Sequence, residues 1–281
     1  GILAPILLKK LGCEIIELFS EPDGRFPNHH PDPTVPKNLK TLSETVVKEK
    51  ADFGVAYDGD ADRIGVVDEA GNIVWGDRLM VIFSRAILGK TPGATIVGEV
   101  KCSQTMYDEI KRLGGVPVMW KTGHSLIKAR MKELKAAFAG EMSGHIFFAD
   151  RWFGFDDAIY SSCRLAEIMA EKRAADAGFA FSRLLKGIPD TFVTPEMRID
   201  CPDKLKFEVI ERLDKAVGKG SGDFKIKDII RIDGLRINFD GGWALVRASN
   251  TQPVLVLRFE AESERLLEKA KAFIKEKFSE T

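Results

Sequence analysis

The chain has 281 residues, 44% of them hydrophobic, with 42 Lys plus Arg balanced by 42 Asp plus Glu. That length fits two domains or three small ones, and that apolar share is enough for real cores. A formal net charge of zero gives no electrostatic footing to a nucleic-acid or membrane-surface partner, and no apolar run approaches a membrane span. The four cysteines, Cys13, Cys102, Cys163 and Cys201, form neither a CxxC pair nor a disulfide framework, which points to a reduced cytoplasm.

The opening "GILAPILLKKLG" carries Pro5 inside its apolar run and Lys9 and Lys10 behind it, unlike a signal peptide. It reads as an amphipathic helix over 2–11, followed by a strand over 13–18 in "CEIIELF". In an α/β unit such a helix returns from an earlier strand. The sequence therefore reads as a fragment that begins inside a domain, with an unpaired sheet edge and uncovered apolar surface. A loop rich in Pro, Asp and His follows, then a polar helix (37–49), strands at 52–57 and 63–68, and a turn and hairpin in "DEAGNIVW". This first domain spans 1–72.

From 73 to 184 strands alternate with helices, the pattern of an α/β domain. Helices are expected at 77–88, 103–113, 124–134 and 157–172, and strands in "ATIVGEV", "PVMW" and "AAFAGE". The last part, 185–281, changes balance: strands near 196–200, 234–238, 243–248 and 254–260, and helices near 203–217 and 263–278. Ser263 is the expected N-cap of the final helix, and "VGKGSGDF" reads as a flexible turn. The whole is α/β, with consecutive α/β domains followed by a small α+β domain.

Four loops carry chemistry. In "YDGDADR" the carboxylates Asp58, Asp60 and Asp62 alternate between two apolar strands. An acidic turn does not explain three in phase, whereas a hard cation such as Mg²⁺ or Ca²⁺ offsets their repulsion. An EF-hand is excluded, because Arg63 stands where position six needs Gly and the flanks are strands. Three carboxylates leave coordination positions that a phosphate can fill, with Arg63 alongside. "WKTGHS" presents His124 near a helix start, and "GEMSGH" sets Glu141, Ser143 and His145 within five residues, a grip for adjacent sugar hydroxyls. "RASNTQP" offers Arg247, Ser249, Asn250 and Thr251 between apolar strands, a set suited to a phosphate dianion. "KCS" aims Lys101 at a phosphate or merely starts a helix, and the adjacent histidines of "FPNHHPDP" read as structural. Metal, hydroxyl grip and second phosphate site together suit phosphoryl transfer on a phosphosugar.

The segments "FPNHHPDP", "DGDADR", "VKCS", "WKTGHS", "GEMSGHIFF", "RWFGFDDAIYS" and "RASNTQPVLVLRFEA", in that order, resemble the α-D-phosphohexomutase superfamily in its bacterial phosphomannomutase/phosphoglucomutase branch. The resemblance implies an intramolecular phosphotransferase that interconverts hexose 1- and 6-phosphates of glucose or mannose. It works through a phosphoserine and a hexose 1,6-bisphosphate intermediate. It implies Mg²⁺ on Asp58, Asp60 and Asp62, with Arg63 beside the transferring phosphoryl group and His124 as acid/base. Lys101, Thr122, Gly123, His124, Glu141, Ser143 and His145 would contact substrate, and Arg247, Ser249, Asn250 and Thr251 the phosphate not being transferred. The family's serine lies in a motif like Thr-Ala-Ser-His-Asn-Pro, and no such motif occurs here. The polypeptide is therefore expected to bind phosphosugars but not to turn them over. The alternative is a non-catalytic phosphosugar-binding protein that has lost its nucleophile domain, and the reading frame upstream of Gly1 discriminates the two.

Overall fold

A computed structural model describes residues 1–218 and 224–279; the centre of the "VGKGSGDF" turn lies outside these described residues. They fall into two units, Gly1–Val118 with Gly123–Ile188, and Met119–Thr122 with Pro189–Thr281. No described helix is long and apolar enough to cross a membrane.

In the first unit, helix α1 (Leu3–Lys10) forms as its periodicity predicts. The strand expected over 13–18 does not. A strand needs a neighbour for its N–H and C=O groups, and no described strand lies beside this segment. The Cys13 N–H instead donates to the carbonyl of Leu8. Ile2, Leu3, Ile6, Leu11, Ile16 and Phe19 are all exposed, so this end of the unit does carry uncovered apolar surface.

Helix α2 (Lys40–Glu49) packs on an antiparallel sheet of β1 (Phe53–Tyr57), β2 (Ile64–Asp68) and β3 (Ile73–Val74). The register runs from Phe53 opposite Asp68 to Tyr57 opposite Ile64. Residues 58–63 are therefore the tip of one hairpin, and the three aspartates stand together there because the apolar strands on both sides pair. At the next turn Asp68 accepts from the Ala70 and Asn72 N–H groups, which closes "DEAGN".

The rest of this unit is helix α3 (Gly76–Lys90), β4 (Thr95–Glu99), α4 (Gln104–Arg112), β5 (Val116–Trp120), α5 (His124–Leu134), β6 (Phe138–Gly140), β7 (Ile146–Phe148) and α6 (Ala158–Ala175). The sheet order is β5-β4-β6-β7, with β4 and β6 parallel and β6 and β7 antiparallel. The sequence reading did not separate β7 from the loop before it. Ser103 caps α4 by accepting from Thr105, and Asp157 caps α6 by accepting from Tyr160.

The second unit is a sheet with two helices. In chain order it holds β8 (Phe192–Val193), β9 (Met197–Asp200), α7 (Lys206–Gly218), β10 (Ile226–Ile230), β11 (Leu235–Phe239), β12 (Gly242–Ala248), β13 (Val254–Ala261) and α8 (Glu264–Ser279). Strands β10 to β13 pair antiparallel in sequence order, and β13 also carries β8 and β9. Alternate residues Leu235, Ile237 and Phe239 meet Leu213, Phe273 and Ile274 in one core. Ser263 accepts from the Leu266 N–H at 3.3 Å at the start of α8, as its position predicts.

The aromatic core beneath the sheet of the first unit gives a stability test. Phe83 is fully buried, with ring centroids 5.7 Å from Phe138 and 5.0 Å from Phe148. Phe83→Ala is expected to lower the unfolding free energy by about 3–5 kcal/mol in urea titration. A loss well below 1 kcal/mol would mean that this cluster does not hold the unit together.

Candidate active site

The hairpin tip is organised by Asp58. Its Oδ1 accepts from the Asp62 and Arg63 N–H groups, each at 3.1 Å, and its Oδ2 accepts from Arg63 Nε at 2.7 Å. The Arg63 guanidinium also reaches Asp32 Oδ1 at 3.3 Å through Nη1. Ligand oxygens of Asp58, Asp60 and Asp62 all lie within 4.8 Å of one another. Asp58 is buried, Asp62 half-buried and Asp60 exposed, so the cluster opens to one side.

The hairpin is fused to the "GEMSGH" loop. Arg63 and His145 form an antiparallel bridge, and the Ile64 N–H donates to the Gly144 carbonyl at 3.0 Å. Gly144 has φ +92°, and a Cβ there would stand 2.4 Å from the Ile64 carbonyl oxygen, so only glycine permits this approach. His145 Nε2 consequently lies 3.4 Å from Asp62 Oδ2. On its other side His145 Nδ1 is 2.8 Å from Ser143 Oγ and 3.4 Å from Glu141 Oε2. Glu141 Oε1 accepts from the Gly123 N–H at 2.6 Å, and His124 stacks on His145 with centroids 5.4 Å apart. Lys101 Nζ stands 3.6 Å from Glu99, whose other oxygen accepts from the Met142 N–H at 2.7 Å. Asp58, Asp60, Asp62, Arg63, Lys101, Gly123, His124, Glu141, Ser143 and His145 thus all lie in the first unit, most of them linked through these contacts.

Thr122, Arg247, Ser249, Asn250 and Thr251 belong to the second unit. Asp233 Oδ2 accepts from both Arg247 Nε, at 2.9 Å, and the Thr122 N–H, at 3.0 Å. Arg247 is almost fully buried, and its Nη2 has no hydrogen-bond partner among the described residues. Ser249 Oγ accepts from the Thr251 and Gln252 N–H groups at 3.4 and 3.2 Å, so its hydroxyl shapes the turn as well as offering a donor.

Family models described as phosphoglucomutase/phosphomannomutase alpha/beta/alpha domain II, alpha/beta/alpha domain III and C-terminal domain match residues 1–71, 75–189 and 196–277. The chain belongs to the phosphoglucomutase/phosphomannomutase family. It is 50% identical over 271 residues to a phosphomannomutase/phosphoglucomutase of Pseudomonas aeruginosa, an alignment covering 96% of this chain and 56% of that protein. It is 46% identical to a phosphoglucomutase of Neisseria gonorrhoeae, with the same two coverages. A crystal structure of a phosphoglucomutase/phosphomannomutase family protein from Burkholderia thailandensis superposes with a TM-score of 0.88 at 42% identity, over 99% of this chain and 57% of that one. The chain thus spans about half the length of the curated relatives it matches.

Within this family frame, several residues that the sequence reading passed over prove central. Asp156 lies within the quoted "RWFGFDDAIYS" without having been singled out, and its two oxygens lie 2.9 Å from Lys128 Nζ and 3.3 Å from His124 Nδ1. A bridge between Phe147 and Asp156 sets it there, and the partners it then meets, His124 and Lys128, lie about thirty residues earlier in the chain. Asp32 sits in "FPNHHPDP", where the paired histidines drew attention away from it. Its own contacts to Thr34 and Arg63 show that this loop braces the hairpin. Glu69, which would fall at position twelve of the excluded EF-hand loop, is engaged by the Ser182 N–H and hydroxyl.

Electrostatics separate the groups. Burial raises Asp58, but hydrogen bonds from Arg63 outweigh it and hold this carboxylate below its ordinary range. Asp62 receives no such help. Burial, a hydrogen bond shared with Asp58, and the charges of Asp58, Asp60 and Asp156 push it up to about 7. Its Oδ1 is buried with no hydrogen bond among the described residues, Arg63 Nε standing 3.8 Å away, so the three carboxylates fit a divalent cation, which would replace the proton. Burial and then the Glu99 carboxylate push Glu141 up to about 8. Burial pushes His145 down to about 4, so this imidazole is neutral at neutral pH.

Asp62 titrates above its ordinary 3.8 in the fold, so its contribution to stability is present below about pH 4 and is lost as pH rises through about 7. In metal-free buffer, Asp62→Asn is therefore expected to raise the melting temperature more at about pH 8 than at about pH 5. Millimolar MgCl₂ should stabilise the wild type in the same order and do less for the variant. Equal shifts at both pH values would show that the three carboxylates are not crowded as described.

Proposed function

We propose that this chain supplies the metal-, sugar- and phosphate-binding parts of a phosphomannomutase/phosphoglucomutase. The reaction is interconversion of hexose 1-phosphate and hexose 6-phosphate through a phosphoserine and a bisphosphate intermediate. The observation that carries this reading is the fusion of the aspartate hairpin to the Glu141–His145 loop through the Arg63–His145 bridge. It sets the three aspartates and the Glu141–His145 loop against one another, which supports reading them as the cation site and hydroxyl grip that phosphoryl transfer to a sugar hydroxyl requires.

Asp58, Asp60 and Asp62 would hold Mg²⁺, which supplies charge to draw phosphoryl oxygens and stabilise the transfer. Arg63, already fixed between Asp58 and Asp32, is oriented to donate to the same oxygens. Glu141, protonated at neutral pH, and Ser143 would bond adjacent sugar hydroxyls, with Lys101 and Gly123 bordering them. Proton movement at the reacting hydroxyl falls to the stacked imidazoles. His124 is held by Asp156, and His145 is neutral and so able to accept a proton. The second phosphate would sit on Arg247, whose buried and unpartnered Nη2 asks for an anion, with Ser249, Asn250, Thr251 and Thr122 adding donors.

Calorimetric titration with glucose 1-phosphate and mannose 1-phosphate is expected to show weak binding by the chain. Arg247→Ala should weaken it about 10- to 100-fold, and unchanged affinity would remove the phosphate assignment. No serine of the chain stands in a Thr-Ala-Ser-His-Asn-Pro motif. A coupled assay with glucose 1-phosphate and glucose 1,6-bisphosphate should accordingly show no turnover by this polypeptide alone, and normal turnover would refute the phosphoserine route.

A further inference from the structure

We propose that Lys206 is a positioning residue of the phosphate loop: its buried ammonium holds the Ser249 carbonyl and so presents the Asn250 N–H of the same peptide to the anion. This deepens the phosphate reading of Arg247–Thr251 and rests on it.

Lys206 opens α7 and is 5% exposed. An ammonium taken out of water must place its three donors. Nζ donates to the Ser249 carbonyl at 2.6 Å and to Asp203 Oδ1 at 2.7 Å, with the Gln252 carbonyl at 3.4 Å. Two of the three acceptors are therefore main-chain oxygens of residues 249–252, the segment that carries Asn250 and Thr251 between them. The Ser249–Asn250 peptide, which turns its carbonyl toward Nζ, turns its Asn250 N–H the other way, whereas the peptide of Gln252 precedes Pro253 and has no N–H to offer. The same short turn collects the Thr251 and Gln252 N–H groups on Ser249 Oγ. Lysine and serine thus fix opposite ends of the loop's dipoles.

The charge works in the same direction. Asp203, the carboxylate on Lys206, is 69% exposed and so is screened by water, whereas Lys206 is not. The loop is left with a positive charge behind it that the exposed carboxylate offsets only in part. Sequence spacing hides this, because Lys206 lies 43 residues from Ser249 and reads there as one more lysine near a helix start.

A lysine that only anchored the start of α7 would depend on Asp203 as much as on the loop. The test compares Lys206→Met, Asp203→Asn and Arg247→Ala by calorimetric titration with glucose 6-phosphate and with inorganic phosphate. Circular dichroism and thermal melts show that each variant is folded. Affinity is read on folded protein, so a loss of stability alone does not move it. Lys206→Met is expected to weaken binding tenfold or more, and Asp203→Asn to leave it unchanged or tighten it. Amide exchange at residues 250–252 should quicken in Lys206→Met. Binding that falls in Arg247→Ala but not in Lys206→Met overturns this inference alone, as does amide exchange that Lys206→Met leaves unaltered. Binding that is absent from the wild type, or unaffected by Arg247→Ala, overturns the phosphate reading and this inference with it.

Discussion

Three carboxylates on one hairpin tip are an electrostatic liability, and much of the first unit is arranged around it. Arg63 hydrogen-bonds one of them and stands only in longer contact, 3.8 Å, with a second. Because Arg63 bonds Asp58 through both its backbone and its side chain, the turn cannot relax to spread the charges apart. The strands on either side pair in full register, so relaxation at their base is closed off as well. The protein thus keeps together a concentration of negative charge that an unfolded chain would disperse. That is sensible only where a multivalent cation belongs.

Neutral and charged groups are then sorted by environment rather than by type. Asp58 stays ionised while Asp62 is pushed toward its proton, and Glu141 is held near protonation beside an imidazole that is not protonated. Two members of the same pair of residue types therefore play different parts within a few ångströms. Depth of burial and the nearest counter-charge decide which.

Much of this was legible in the sequence. The alternation of apolar and acidic residues gave two strands with the aspartate loop between them, Ser263 announced a helix, and three of the quoted loops led to residues that the structure groups in the first unit. What was not legible depends on partners far along the chain. The segment 13–18 has strand composition but no ladder to join, and pairing is a property of two segments. Asp156 and Lys206 acquire their meaning from residues brought beside them by β7 and by the loop after β12. A short polar motif advertises ligands to be bound, whereas the groups that hold the motif in shape carry no signature of their own.

The orphaned Nη2 of Arg247 has a thermodynamic side. A buried guanidinium nitrogen without an acceptor costs the free fold on the order of 1–3 kcal/mol. An anion that reaches it gains the bond and also relieves that cost. Part of what appears as affinity has therefore been set aside during folding, when the ring of donors was assembled against its own preference for water. Under the proposed phosphate assignment, selection for a sturdier second unit and selection for a tighter grip on the anion pull on the same atom in opposite directions.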